Sequence, residues 1–179
     1  MPIDFEIVDK IFCTQKYLLP PFDWKTVPAS NTKEQRQCFE TRIKLEGTIP
    51  RGVWFRITIF PGSLIRSVFQ LECDIPNSRT HVPLYRLELD PLTAHTNKLY
   101  GDDEVNGVFI DAGVTHEHIF YDSLKPGNIL RKPNRCDEQA RIVKDPPSDF
   151  AHALSYVAVK IELQNADQIP HPNAQGLLF

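Results

Sequence analysis

No apolar run in this 179-residue chain approaches the ~20 residues needed to cross a bilayer as a helix. Paired cysteine spacing is missing too. Cys13, Cys38, Cys73 and Cys136 are scattered and no CxxC occurs, which argues against a zinc knuckle or a dithiol redox motif. Positive charge is not in excess: the formal net charge is −3, so there is no general pull toward nucleic acid or an anionic membrane. Glycine is scarce, eight residues against fifteen prolines, a balance that predicts many short connections and few long helices. No basic start followed by an apolar segment marks an export signal, so a cytoplasmic setting with four reduced thiols is expected. Repeats and low-complexity tracts are also lacking. What remains is an ordinary globular composition, 41% hydrophobic and 24% charged, long enough to bury a core of its own.

The strongest pattern is alternation. Phe39, Thr41, Ile43 and Leu45 share one parity, with Arg36, Glu40, Arg42, Lys44 and Glu46 on the other. After the turn chemistry of residues 47–52, Val53, Phe55, Ile57 and Ile59 resume the apolar face, and Trp54 takes the outward parity. A third segment sets Phe69, Leu71, Cys73 and Ile75 against Arg66, Gln70, Glu72 and Asp74. A fourth sets Tyr85, Leu87 and Leu89 against Arg86, Glu88 and Asp90. Four alternating segments joined by short turns predict an antiparallel meander with one buried face.

Elsewhere the signal is weaker. Residues 91–107 are polar and turn-rich, an excursion between strands, and residues 108–121 hold one or two further strands broken near Ala112-Gly113. Six Lys or Arg between Lys125 and Lys144, against Asp137 and Glu138, make a local basic stretch. Phe150, Leu154, Val157 and Ile161 recur at helical spacing behind Ser148 as N-cap, although Val157, Val159, Ile161 and Leu163 also alternate. Length and capping favour a helix packed on the sheet. The expected fold is therefore α+β: one domain over residues 36–179, an antiparallel meander with a single C-terminal helix, preceded by an extended arm over residues 1–35. The apolar end Leu177-Leu178-Phe179 is expected to dock.

The most pointed feature is Thr115-His116-Glu117-His118-Ile119. On a strand, His116 and His118 face the same side, ~6.6 Å apart at the backbone. That spacing suits metal chelation, an acid–base pair, or a solvated sheet face. As metal ligands the pair needs a third donor, for which His95, Glu88, Asp90, Asp111 and Asp122 are available. As an acid–base pair it needs a cation for the developing phosphorane charge. Arg86 on the fourth strand, or Arg131, Lys132 and Arg135 in the basic loop, would supply that charge, and Glu88 would orient Arg86 or an imidazole.

Arg86-Leu87-Glu88-Leu89-Asp90, His95-Thr96-Asn97 and His116-Glu117-His118-Ile119 together resemble small bacterial and phage domains with an Arg-x-Asp strand, a His-x-Asn turn and a His-x-His strand. The end Gln175-Gly176-Leu177-Leu178-Phe179 is similar as well, and related strand motifs occur in TumE-like proteins of toxin–antitoxin pairs. This chain departs in having Glu88 where Asp is usual and a longer insertion between Asn97 and His116. The resemblance implies a constellation of Arg86, Glu88, His95, His116 and His118 in a mobile-element or defence protein. The expected activity is an RNase-like phosphodiesterase without cofactor or metal, acting on RNA or another phosphodiester and not on a membrane. The rival is a non-catalytic module that binds a protein partner through exposed aromatics, Trp24 and Trp54. Catalysis requires the histidines to converge with Arg86; binding requires them apart on a flat face with Trp54 exposed.

Overall fold

The alternation of residues 36–89 becomes four long antiparallel strands, because only that conformation puts every second apolar side chain on one face. A computed structural model describes residues 5–28, 35–63, 65–74, 81–100, 104–125, 129–130 and 138–172. In chain order the strands are β1 (Lys16–Leu18), β2 (Trp24–Pro28), β3 (Gln35–Leu45), β4 (Val53–Ile59), β5 (Ser67–Asp74) and β6 (His81–Leu89). Shorter pieces follow: β7 (His95–Thr96), β8 (Phe109–Ile110), β9 (His116–Ile119), β10 (Leu124–Lys125), β11 (Ile129–Leu130) and β12 (Arg141–Ile142). The helices are α1 (Phe5–Cys13) and α2 (Phe150–Lys160). The main sheet runs β1-β3-β4-β5-β6-β9-β12, with β2 also paired to β3, so the meander β3 to β6 is extended by β9 and β12. Every pairing within it is antiparallel. A bulge between Leu71 and Glu72 lets Pro83 sit in β6.

The inner face is predominantly apolar. Phe39, Phe55, Ile57, Phe69, Leu71 and Leu87 are fully buried there. Over them lies α2, where Phe150 and Val157 are buried and Val159 is 78% exposed, so helical spacing prevails over the competing alternation. The cap is Asp149, one residue later than Ser148: its carboxylate accepts from the His152 amide at 2.8 Å.

The described part of residues 1–35, residues 5–28 and 35, is not an extended arm. Val8 and Ile11 of α1 and Trp24 of β2 belong to the core, and the Trp24 indole donates to the Pro170 carbonyl at 2.8 Å. The molecule is α+β as expected, but its described residues hold two α-helices. The physical reason lies in β3, whose free edge pairs first with β1 and then with β2. Among the described residues Cys13, Cys38 and Cys73 are free thiols. No described helix is long and apolar enough to cross a membrane. Ile75, Cys136, Arg131, Lys132, Arg135 and the 177–179 end lie outside the described residues.

A buried histidine cluster as candidate metal centre

Strand register assembles most of the site. Arg86 of β6 stands opposite His118 of β9, and Glu88 opposite His116, so these four share the outward face of the sheet. Glu117 between them points inward, where its carboxylate accepts from Tyr85 Oη at 2.8 Å, Tyr156 Oη at 3.2 Å and Lys160 Nζ at 3.0 Å. Thus β9 is gripped from below by α2 while presenting two imidazoles above.

The histidines are not on a solvated face. His116 and His118 are 1% and 2% exposed, because the excursion after β6 folds back over them. Asp90, at φ 46°, turns the chain out of the sheet, and Arg66 holds its carboxylate at 2.9 Å. A Gly113 to Pro91 backbone bond at 2.8 Å closes the base of the excursion. Inside it, the β7–β8 hairpin pairs His95 with Ile110 and delivers His95 to the other two. Asn97 and Gln139 lock this lid in place. The buried Asn97 amide donates to the Val105 and Ala140 carbonyls at 2.7 and 2.8 Å and accepts from the Ala140 amide at 2.8 Å. Gln139 exchanges two 3.0 Å hydrogen bonds with the Lys98 backbone.

The three rings meet with centroids 5.6 Å (His95 and His116), 4.9 Å (His95 and His118) and 5.1 Å (His116 and His118) apart. One ring nitrogen from each lies within 4.8 Å of the others. Nδ1 of His116 is 2.9 Å from the Val114 carbonyl, and Nδ1 of His118 is 2.9 Å from the Gln139 carbonyl. A carbonyl only accepts, so each Nδ1 carries a proton, and in the neutral form of the ring Nε2 keeps its lone pair. Nε2 of His95 and of His118 are buried without a hydrogen-bond partner among the described residues. Glu88 Oε1 lies 3.3 Å from His118 Nε2, 3.9 Å from His116 Nε2 and 2.9 Å from Arg86 Nε. The 3.3 Å contact is out of line for a hydrogen bond and is electrostatic.

Burial disfavours the charged form of two of the rings, His95 and His116. Burial, then the other two imidazoles, hold His95 below the usual histidine range. Burial also lowers His116, against the opposing pull of the Val114 carbonyl and Glu88. For Glu88 burial works toward a higher value, but His118, Arg86 and His116 outweigh it and bring the carboxyl down to about 2.

All five residues expected from the sequence, Arg86, Glu88, His95, His116 and His118, are therefore together. Of the other proposed donors, Asp122 is held by Arg141 at 2.6 and 3.0 Å and Asp90 by Arg66, while Asp111 is exposed. Of the aromatic anchors of the rival reading, Trp24 is in the core and Trp54 is half-buried. Gln139 was missed, and nothing in its run 136–140 marks it. Asn97 stood in the quoted His95-Thr96-Asn97 turn but had no role there. Two surface cavities of about 630 and 540 Å³ lie elsewhere, one beside Cys13 and Tyr17 and one beside α2. The chain matches no family model, no curated protein and no solved structure.

Proposed function

We propose that this chain is a metal-dependent hydrolase in which His95, His116 and His118 hold one divalent transition ion, with Zn²⁺ the simplest choice. The observation that carries the reading is the convergence of one ring nitrogen from each histidine within 4.8 Å, with Nε2 of His95 and of His118 buried without a partner among the described residues. A buried lone pair without a donor is costly, and a single cation satisfies all three at once. Tetrahedral zinc with bonds of about 2.0–2.1 Å needs its nitrogens ~3.3 Å apart, which small ring rotations supply. The outer bonds also favour it: an imidazole whose Nδ1–H is held by a backbone carbonyl is fixed in tautomer and direction, as metal-bound histidines are.

Three protein ligands with one position left over is the catalytic form of a zinc site, whereas structural sites use four. An ion so held lowers the pKa of a bound water to about 7 and makes it a nucleophile near neutrality. Glu88, an anion at that pH beside the cluster, fits either a fourth ligand or the group that takes the water's proton.

The RNase-like reading of the sequence is kept in changed form. A metal-free pair would need two imidazoles free to reach opposite sides of a scissile phosphodiester, which suits poorly two rings turned toward each other and toward a third. The motif resemblance supports a mobile-element or defence setting as part of the same proposal. The test is cleavage of a mixed RNA pool and of simple phosphodiesters. Activity should vanish with a chelator, return with Zn²⁺ or Mn²⁺, and fall by at least ~10² in His116→Ala. Cleavage that survives exhaustive chelation would leave the metal-free pair as the better account.

A further inference from the structure

Arg86 is the one site residue whose donors are mostly unused. Its Nε is buried beside Glu88 Oε1 at 2.9 Å without a proper hydrogen bond, and its terminal nitrogens have no partner among the described residues. Other carboxylates of the same sheet face are already engaged. Glu40 takes Arg56 at 2.5 Å, and Glu72 takes Arg56 at 2.9 Å and Gln70 at 2.8 Å. Gln70, directly across from Arg86 on β5, is thus turned to Glu72. Among the described residues the one ion pair of Arg86 within 4 Å is with Glu88, which is shared with His118 and His116, while Glu72 acts on it from farther off.

Building on the metal reading, we propose that Arg86 is the receptor for a substrate phosphate, kept neutralised by Glu88 until an ion arrives. A cation at the histidine cluster draws the Glu88 carboxylate toward itself, since Glu88 Oε1 already lies 3.3 and 3.9 Å from two of the ligand rings. The guanidinium then loses its counter-charge and offers planar paired donors a few ångströms from the ion, the geometry that suits a phosphate oxygen pair. The ion and Arg86 together outweigh the single charge of Glu88, so the loaded site attracts an anion that the empty site does not. Linkage makes the effect reciprocal: phosphate must tighten the metal by the same factor.

Phenyl phosphate binding, followed by ³¹P NMR in four states of the full chain, tests this. Metal-free wild type should bind weakly. Zn²⁺-loaded wild type should bind at least ~10-fold more tightly, and so should metal-free Glu88→Gln, where the carboxylate charge is gone but its shape is kept. Arg86→Gln should show neither gain, and Arg86→Lys should recover part of it; unchanged circular dichroism and zinc stoichiometry show that the variants are folded and loaded. If Zn²⁺ fails to bind while Glu88→Gln still gains phosphate affinity through Arg86, the receptor stands and the metal reading falls. If Zn²⁺ binds and Arg86→Gln matches wild type for phosphate, or if Glu88→Gln gains nothing, the receptor is refuted and the metal reading is untouched.

Discussion

His118 shows most directly how burial changes what a side chain is worth. Standing on a solvated face, it would contribute little to stability. It is instead 2% exposed and donates to the Gln139 carbonyl. His118→Ala should therefore destabilise the metal-free fold by about 1–3 kcal/mol, measured by urea denaturation, because the carbonyl loses its donor in a buried place. The shifted groups also set a pH dependence. His95 and His116 resist protonation in the folded state, whereas the unfolded chain takes up those protons near pH 6.5. Their stabilising effect is thus present above about 6.5 and declines as pH falls. Glu88, lowered from 4.5 to about 2, adds a second loss that begins below about 4.5. The denaturation midpoint should drop between about pH 7.5 and 5, and His116→Ala should drop less. An equal slope in both proteins would contradict the assignment.

At the scale of elements, β9 is the part on which the site turns. It is only four residues long, so neither face alone would hold it. Below, Glu117 ties it to β6 through Tyr85 and to α2 through Tyr156 and Lys160. Burial beside Glu117 pushes the Tyr85 phenol well up, so it stays a donor to that carboxylate. Glu117→Ala should cost about 2–3 kcal/mol, discounted for the partly exposed Lys160. It should also weaken metal binding, although Glu117 faces away from the ion. A variant equally unstable through α2 alone, such as Phe150→Ala, should leave the ligand geometry and metal affinity nearly intact. If both variants weaken the metal equally, the effect is general unfolding and not positioning by β9.

For the whole molecule, the meander was legible because alternation over residues 36–89 is a local signal that a sheet with one buried face demands. The first 28 residues were not. Among the described side chains, the stripe of α1 that enters the core is short, Val8 and Ile11 with Phe12 packed against them, and β1 has three residues, too few for a period to register. Deleting residues 1–28 should abolish cooperative folding, since it removes Trp24 and uncovers the edge of β3, whereas loss of a mere arm would be neutral. A sharp thermal transition in the truncated chain would contradict this. The site was legible in composition and not in burial. Arg86, Glu88, His116 and His118 follow from strand parity, but what covers the imidazoles is the Asn97 and Gln139 clamp, joined across more than forty residues of sequence. No local pattern encodes such a contact, and without it the same histidines look solvated.

On the proposed reading His95, brought in by that clamp, completes a metal site with His116 and His118. Titration of the metal-free chain with Co²⁺, followed by its visible absorption, tests it most directly. One ion per chain is expected in a low-symmetry nitrogen environment, displaced by Zn²⁺, with affinity reduced at least ~100-fold in His95→Ala. Absence of a stoichiometric spectrum, or a His95→Ala titration that overlays the wild type, would contradict it.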